Sequence, residues 1–356
     1  MNIKPFFFVL TFAFLFQSCD DNVDCCPMPE PVAEFNSGVF VLNEGNFGSG
    51  NASVSFINPE EELNQGQIFN EINGFSLGDT AQSIEMHEDM AIIVVNVSNK
   101  IEIVNRYTFE SMGTISSNLS NPRYAEVMGD NLYVTNWGDG MNPDDDFVAI
   151  FNLSDLTFTE SIAVAEGPEK LIAYSGAIYV AHKGGFSFND LVSQIDAGSN
   201  TVTKEIKVGY LPNSMVIKEN DLWVLAAGKP SYADEETAGR LTRIDLNSKE
   251  VVESLDFLDN TIHPDNLNLA LNSFYLTIGK SVYKYELGDS LPATPEFTLE
   301  EVSVLYGFEI DGNKIYVASP RPDFTGNGDL YIYDLNDGNL LDQYTTGINP
   351  NGIYFN

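Results

Sequence analysis

Basic residues are the scarcest feature of this chain: 17 Lys and Arg stand against 52 Asp and Glu, a formal charge of −35 over 356 residues. No Lys/Arg block offsets that charge, and so acidic a surface repels phosphate backbones, which excludes nucleic-acid binding through counterion release. Cysteine is nearly absent. Cys19, Cys25 and Cys26 all precede residue 35, so the main domain has no disulfide framework, no Cys-ligated zinc and no cysteine nucleophile. Three histidines, His87, His182 and His263, show no HExxH or related spacing, which makes a zinc enzyme unexpected. GxSxG, a Walker loop and a dinucleotide fingerprint are missing too. No segment beyond Phe16 approaches the roughly 18 apolar residues of a membrane span. What the chain does have is aromatic residues, 24 Phe and 16 Tyr, which argue for a packed core rather than disorder.

Residues 1–18 read as an export signal: Lys4, an apolar run from Phe6 to Phe16 too short to span a bilayer, then Ser18. Cys19 directly behind that run resembles the lipoprotein signal, which implies cleavage before Cys19 and its lipidation; the alternative is an ordinary secretory leader. Residues 20–24, DDNVD, resemble the acidic tag that sends lipoproteins to the exterior face of the outer membrane in some Gram-negative lineages. Residues 19–37, acidic and carrying Pro27, Pro29 and Pro31, read as a semi-extended tether. Residues 38–356 form one domain by expectation.

That domain is periodic. A Pro, small or apolar residue is followed ten positions later by an apolar-aromatic-apolar strand at Ala81/Ala91, Pro122/Leu132, Pro168/Ile178, Pro212/Leu222, Pro264/Phe274 and Leu305/Ile315, with a seventh start at Pro350. Spacings of 41 to 52 residues belong to propeller blades. Within each unit a third strand closes on Asn105, Asn152, Asp196, Asp245, Glu286 or Asp334, and a fourth follows a short polar turn, as in 156–164 and 201–208. The last unit holds one strand, 351–355. Its missing partners are expected at 38–42, 52–57 and 66–72, which would close the ring and leave no unpaired inner edge. The fold class is all-β, a seven-bladed β-propeller of four-stranded blades.

The string Leu132-Tyr133-Val134-Thr135-Asn136 resembles the YVTN, or YncE-like, seven-bladed propeller family over about residues 38–356. The opening segment Val39 to Phe47 with Gly50-Asn51-Ala52-Ser53 is similar to a narrower subgroup of surface lipoproteins beside outer-membrane receptors, which includes the cobalamin-capturing propeller of vitamin B12 uptake. That resemblance implies a corrinoid as cargo, no intrinsic cofactor, a TonB-dependent receptor as partner and a lipid anchor in the outer membrane facing the cell exterior.

In a propeller the first strands start, and the loops between second and third strands return, at one face of the central channel. Expected there are Gln82, Arg123, Tyr124, Lys170, Asn213, Asp265, Asn266, Tyr306 and Asn351, ringed by loops 43–51, 137–146, 182–189, 226–238 and 319–328. Short loops near Asn99 and Lys280 would lower the wall in two places. Phe47, Trp137, Phe186, Phe188, Tyr232 and Phe324 offer flat apolar contact, Trp137 and Phe186 most strongly as exposed loop aromatics. Asn46, Asn136, Asn213, Asn266 and Asn351 offer amides, or simply make tight turns. Lys100, Arg123, Lys170, Lys183, Lys229, Lys280 and Arg321 fall on this face and permit a phosphate or carboxylate on the ligand, or are solvated loop charges. His182 and His263 are expected either to face the bowl or to be hydrogen-bonded surface histidines. Acidic loops 139–146 and 323–329 resemble loose calcium loops, or are hairpin turns with solvated charges.

The reading is a non-catalytic, surface-anchored binding protein that captures a large cofactor-like ligand and hands it to a TonB-dependent transporter. Two alternatives stand beside it. One is an exported propeller enzyme of lactonase or hydrolase type, for which Arg123, Glu169 and Asp265 are the raw material. The other is a protein-binding scaffold at the cell surface.

Overall fold

The computed structural model describes residues 35–356. The expected leader, Cys19 and the tether up to residue 34 lie outside the described residues. The described chain forms seven four-stranded antiparallel sheets, each with its strands in simple meander order. Their first strands are Ala81–His87, Pro122–Met128, Pro168–Tyr174, Pro212–Lys218, Asp265–Ala270, Gly307–Asp311 and Pro350–Phe355. All seven border one axial cavity. We number the blades one to seven in that order.

The repeated apolar triplets become the second strands, such as Asn131–Asn136 and Asp221–Ala226, buried along almost their whole length. A propeller sheet is covered on both faces by its neighbours, so the alternation of a half-exposed strand is lost and near-continuous apolar runs result. Leu132, Tyr133 and Val134 are fully buried, and each such side chain contributes roughly 1.5–3 kcal/mol by leaving water. The third strands end where a side-chain acceptor can close the next turn. Asn105, Asn152, Asp196, Asp245 and Asp334 each accept a backbone N–H from two or three residues on, at 2.6–3.0 Å. In blade five the strand stops one residue earlier, at Tyr285, and the Glu286 carboxylate instead accepts the Ser273 hydroxyl at 2.7 Å.

The ring closes through the two ends of the domain. Pro350–Phe355 pairs antiparallel with Val39–Asn43, Val39 opposite Phe355 and Val41 opposite Ile353. Ser53–Asn58 and Leu63–Gln65 complete that blade. The expected strand at 66–72 is a correction: the outer strand is only Leu63–Gln65, and Ile68–Asn73 is an α-helix. Ile68, Phe69 and Ile72 are spaced for a helical face rather than for alternation, and Gly74 at φ 73° supplies the left-handed stop. Packing also begins earlier than residue 38. Phe35 is fully buried, its ring centroid 4.8 Å from that of Phe56, and its N–H donates to Tyr107 O at 3.0 Å.

Candidate functional site

Six of the seven first strands carry a register shift at the same place, directly after their first residue. Arg123 and Tyr124 together face Thr135, because Pro122 pairs with Asn136 and Ala125 with Val134. Glu169 and Lys170 are displaced in the same way in blade three, Asn266 and Leu267 in blade five. Gln82, Asn213 and Asn351 are the extra residues in blades one, four and seven. A β-bulge leaves a residue outside the ladder and re-aims its side chain. Here that device turns a ring of polar side chains toward the mouth of the axial cavity, which measures about 450 Å³.

Gln82, Arg123, Tyr124, Lys170, Lys183, Asn213, Asn266, Tyr306 and Asn351 line this cavity, as expected from their place in the repeat. Some of them belong to two hydrogen-bonded groups. On one side Glu44 accepts hydrogen bonds from the Tyr306 hydroxyl at 3.1 Å and from Asn351 Nδ2 at 3.2 Å. Burial raises the Glu44 pKa against those bonds, and burial together with Glu44 pushes the Tyr306 phenol up. On the other side Arg123 Nε donates to Glu169 Oε1 at 2.9 Å. Burial works against the Arg123 charge, yet Glu169 with Tyr124 and Glu44 together outweigh it and the Arg123 pKa is raised. Tyr124, buried beside Glu169, is pushed up to about 12, so its hydroxyl keeps its proton at neutral pH.

Below the mouth the wall becomes acidic. Glu85, Glu126 and Glu309 occupy one position of the unit in blades one, two and six, with Tyr354 at that position in blade seven. Burial, with Glu126 beside it, raises Glu85 to about 8; burial raises Glu126 to about 7, and burial raises Glu309 despite Lys170. These residues and Glu44 escaped the sequence reading. The signal was present, since Glu85 and Glu126 share one offset from their unit starts.

Other expected site residues lie elsewhere. Trp137, expected as an exposed anchor, is half-buried: Nε1 donates to Pro168 O at 3.1 Å, and the Arg123 guanidinium stands 4.1 Å from the ring centroid. Asn136 is fully buried and structural, its Nδ2 on Val134 O and its Oδ1 accepting from Ser120 N. His182 does not face the bowl. It is fully buried, Nε2 is 2.8 Å from Ser193 Oγ, and burial depresses its pKa to about 4. His263 sits in the rim between Ala227 O and Glu236 at 2.9 and 3.1 Å. Asn46 holds its own loop through Asn51 and Phe324 O. Arg321 is exposed and 3.5 Å from Asp323, away from the cavity. Lys100 pairs with Glu102, Lys229 stacks on Tyr210, and Lys280 donates to Glu300 O. The acidic loops spend carboxylates on backbone N–H groups, as in Asp145 with Asp139 and Asp323 with Thr325. Among the described residues no group of three or more His, Cys, Asp or Glu is placed to hold a metal ion.

The loops between second and third strands rise around the mouth and carry Phe47, Phe186 and Tyr232, at 84%, 76% and 83% exposure the most exposed aromatic rings among the described residues. The loop of Phe186 is pressed against the start of blade three: a Cβ on Gly167, at φ 67°, would stand 2.1 Å from Gly185 N. Ring contacts link the loops, Trp137 with Phe186 edge-on at 6.0 Å and Phe188 with Tyr232 tilted at 6.2 Å between centroids. Blades one and five have short loops at 96–99 and 279–280, so the wall dips there.

Residues 37–351 match the model of a family described as a domain of unknown function, DUF5074. This chain belongs to the DUF5074 family. No curated protein matches the DUF5074 chain. Among solved structures it is similar to the dihydro-heme d1 dehydrogenase NirN in complex with DHE, at 12% identity and TM-score 0.58 over 89% of this chain and 75% of that one. Hydrazine synthase of Kuenenia stuttgartiensis is similar at 17% identity and TM-score 0.54, over 78% of this chain and 92% of that one. BamB of Moraxella catarrhalis is similar at 12% identity and TM-score 0.50, over 78% of each chain. At such identities the likeness of DUF5074 to these proteins is one of fold.

Proposed function

We propose that this chain is a non-catalytic binding protein whose loop-bearing face captures a large, amide-bearing ring compound, a cobalamin-type corrinoid. Lipidated at Cys19 on the exterior of the outer membrane, it would pass that cargo to a TonB-dependent transporter. The propeller fold fits a binding or scaffold role. One observation carries the finer reading. Three highly exposed aromatic rings stand around a mouth into which bulges turn amides and the Tyr124 phenol beside the charged Arg123, Glu169 and Lys170, so a wide ring with polar edges meets apolar surface at its rim and hydrogen-bonding groups at its centre. At about 450 Å³ the cavity is too small to enclose such a ligand, which would lie across the mouth rather than enter the channel. An anchored receptor gains by slow release until the transporter accepts its cargo, so tight binding without chemistry suits the role.

The scaffold reading draws on the same rim, because exposed aromatic loops also suit a protein partner. Titration with cyanocobalamin separates the two: a corrinoid site gives saturable binding, a scaffold gives none. Anchorage is tested independently. Cys19→Ala should move the protein from the membrane fraction to the soluble one, and protease added to intact cells should degrade the wild type.

A further inference from the structure

A second cavity of about 450 Å³ lies away from the axis, in the cleft between blades six and seven. Its walls come from the end of Leu340–Ile348, the start of Asn327–Asp334, the short strand Leu63–Gln65 and the helix Ile68–Asn73. No Asp, Glu, Lys or Arg lines it, although the chain carries 52 acidic residues. Amides and hydroxyls do. Asn64 spends Nδ2 on Thr345 O at 3.1 Å and keeps its Oδ1, whereas Asn70 spends Oδ1 on Leu77 N at 3.1 Å and keeps its Nδ2. Thr346 is 5% exposed, and its Oγ1 is buried with no hydrogen-bond partner. An unsatisfied buried hydroxyl is destabilising, by about 1–3 kcal/mol, and such groups in native folds call for a reason. Gly66 has an ordinary negative φ, so nothing in the backbone demands glycine there. A Cβ would meet nothing within 4 Å, and the missing side chain leaves the cleft open.

We propose that this cleft is a second binding site, for a single neutral sugar residue. Asn64 Oδ1 can accept from one hydroxyl and Asn70 Nδ2 can donate to another, a split donor and acceptor set that suits a polyol, and a wall without charge favours a neutral polyol over an ionic ligand. The volume falls within the roughly 300–1,000 Å³ range of small-molecule sites. A peptide strand adding to the edge of blade six fits less well, because Asn64 already occupies Thr345 O, the acceptor such a strand would need. The site is independent of the axial mouth, so either can fail without the other.

The test is saturation-transfer NMR on the purified full-length chain with methyl α-D-glucopyranoside and methyl β-D-galactopyranoside, and with D-glucuronate as the charged control. At least one neutral glycoside should receive saturation and D-glucuronate should not. Gly66→Leu should abolish the transfer by filling the cleft. Thr346→Val should weaken binding by about tenfold, while its thermal midpoint stays the same or rises because an unpaired hydroxyl has been removed. A purely structural Thr346 would give the stability result alone. Absence of transfer from both glycosides, equal transfer to D-glucuronate, or unchanged transfer in Gly66→Leu would overturn the proposal.

Discussion

Arg123 lies over Trp137, guanidinium carbon 4.1 Å from the ring centroid, while its Nε is held by Glu169 from the next blade. Trp137 in turn donates to Pro168 O, the residue just before Glu169, which is Arg123's counterpart in blade three. The pair therefore joins blades two and three behind the mouth and fixes the direction in which the guanidinium points.

That arrangement makes Trp137 a brace between two blades. Trp137→Ala should lower stability by about 2–4 kcal/mol, the scale for truncating a partly buried aromatic with a cation–π partner and a hydrogen bond. Its effect on ligand affinity should be smaller than that of Phe186→Ala. Chemical denaturation and titration of the same two variants check both halves.

The channel carboxylates predict a pH signature. Glu85 and Glu126 ordinarily ionise near 4.5 but rise to about 8 and about 7 in the folded chain, with burial the main cause and mutual repulsion adding at Glu85. A raised carboxylate holds its proton better in the folded state, so its favourable contribution is full below about pH 4.5 and is lost as pH climbs toward 8. Glu309, Tyr354 and Lys170 face the same space and set the background. Glutamine mimics the protonated acid. The Glu85→Gln/Glu126→Gln variant should therefore match the wild-type thermal midpoint near pH 5 and exceed it at pH 8. A difference that does not change with pH would contradict this assignment.

His182 acts in the opposite direction. Its pKa falls from 6.5 to about 4 through burial, so the folded chain favours neutral imidazole and loses stability as pH drops from about 6.5 toward 4. Ring NMR should report no protonation of His182 at pH 5.5.

Closure predicts a cooperative loss. Removing residues 350–356 strips the first strand of blade seven and leaves Val39–Asn43 with an open inner edge. The truncated chain should show no cooperative thermal transition. A truncated chain that melts like the wild type would mean that the ring does not depend on that pairing.

Much of this architecture was readable because propeller packing imposes a simple code. Tyr133, Tyr179 and Trp223 sit at one position of the buried second strand, and the Asx turns after Asn105, Asn152 and Asp245 need a particular acceptor at a particular place. Repetition multiplied each weak signal. The outer strand of blade seven was misplaced because that blade departs from the repeat and substitutes a helix. Site residues were legible when the repeat alone positions them, as with Gln82, Arg123 and Asn351 at their bulges. Trp137 and His182 were not. His182 ends a second strand and Trp137 directly follows one, where one residue decides between loop surface and blade interior, and neighbours outside that strand, Pro168 and Ser193 among them, settle the direction.

The central claim is that the rim and mouth bind a corrinoid, and isothermal titration with cyanocobalamin tests it most directly. Wild type should bind saturably with micromolar or tighter affinity. The Phe186→Ala/Tyr232→Ala variant, which removes two highly exposed rings and should leave the thermal midpoint unchanged, should bind at least tenfold more weakly, in keeping with roughly 1–3 kcal/mol for a buried anchor. No binding by the wild type, or equal affinity in the folded variant, would contradict the account and move the protein-binding scaffold ahead of it.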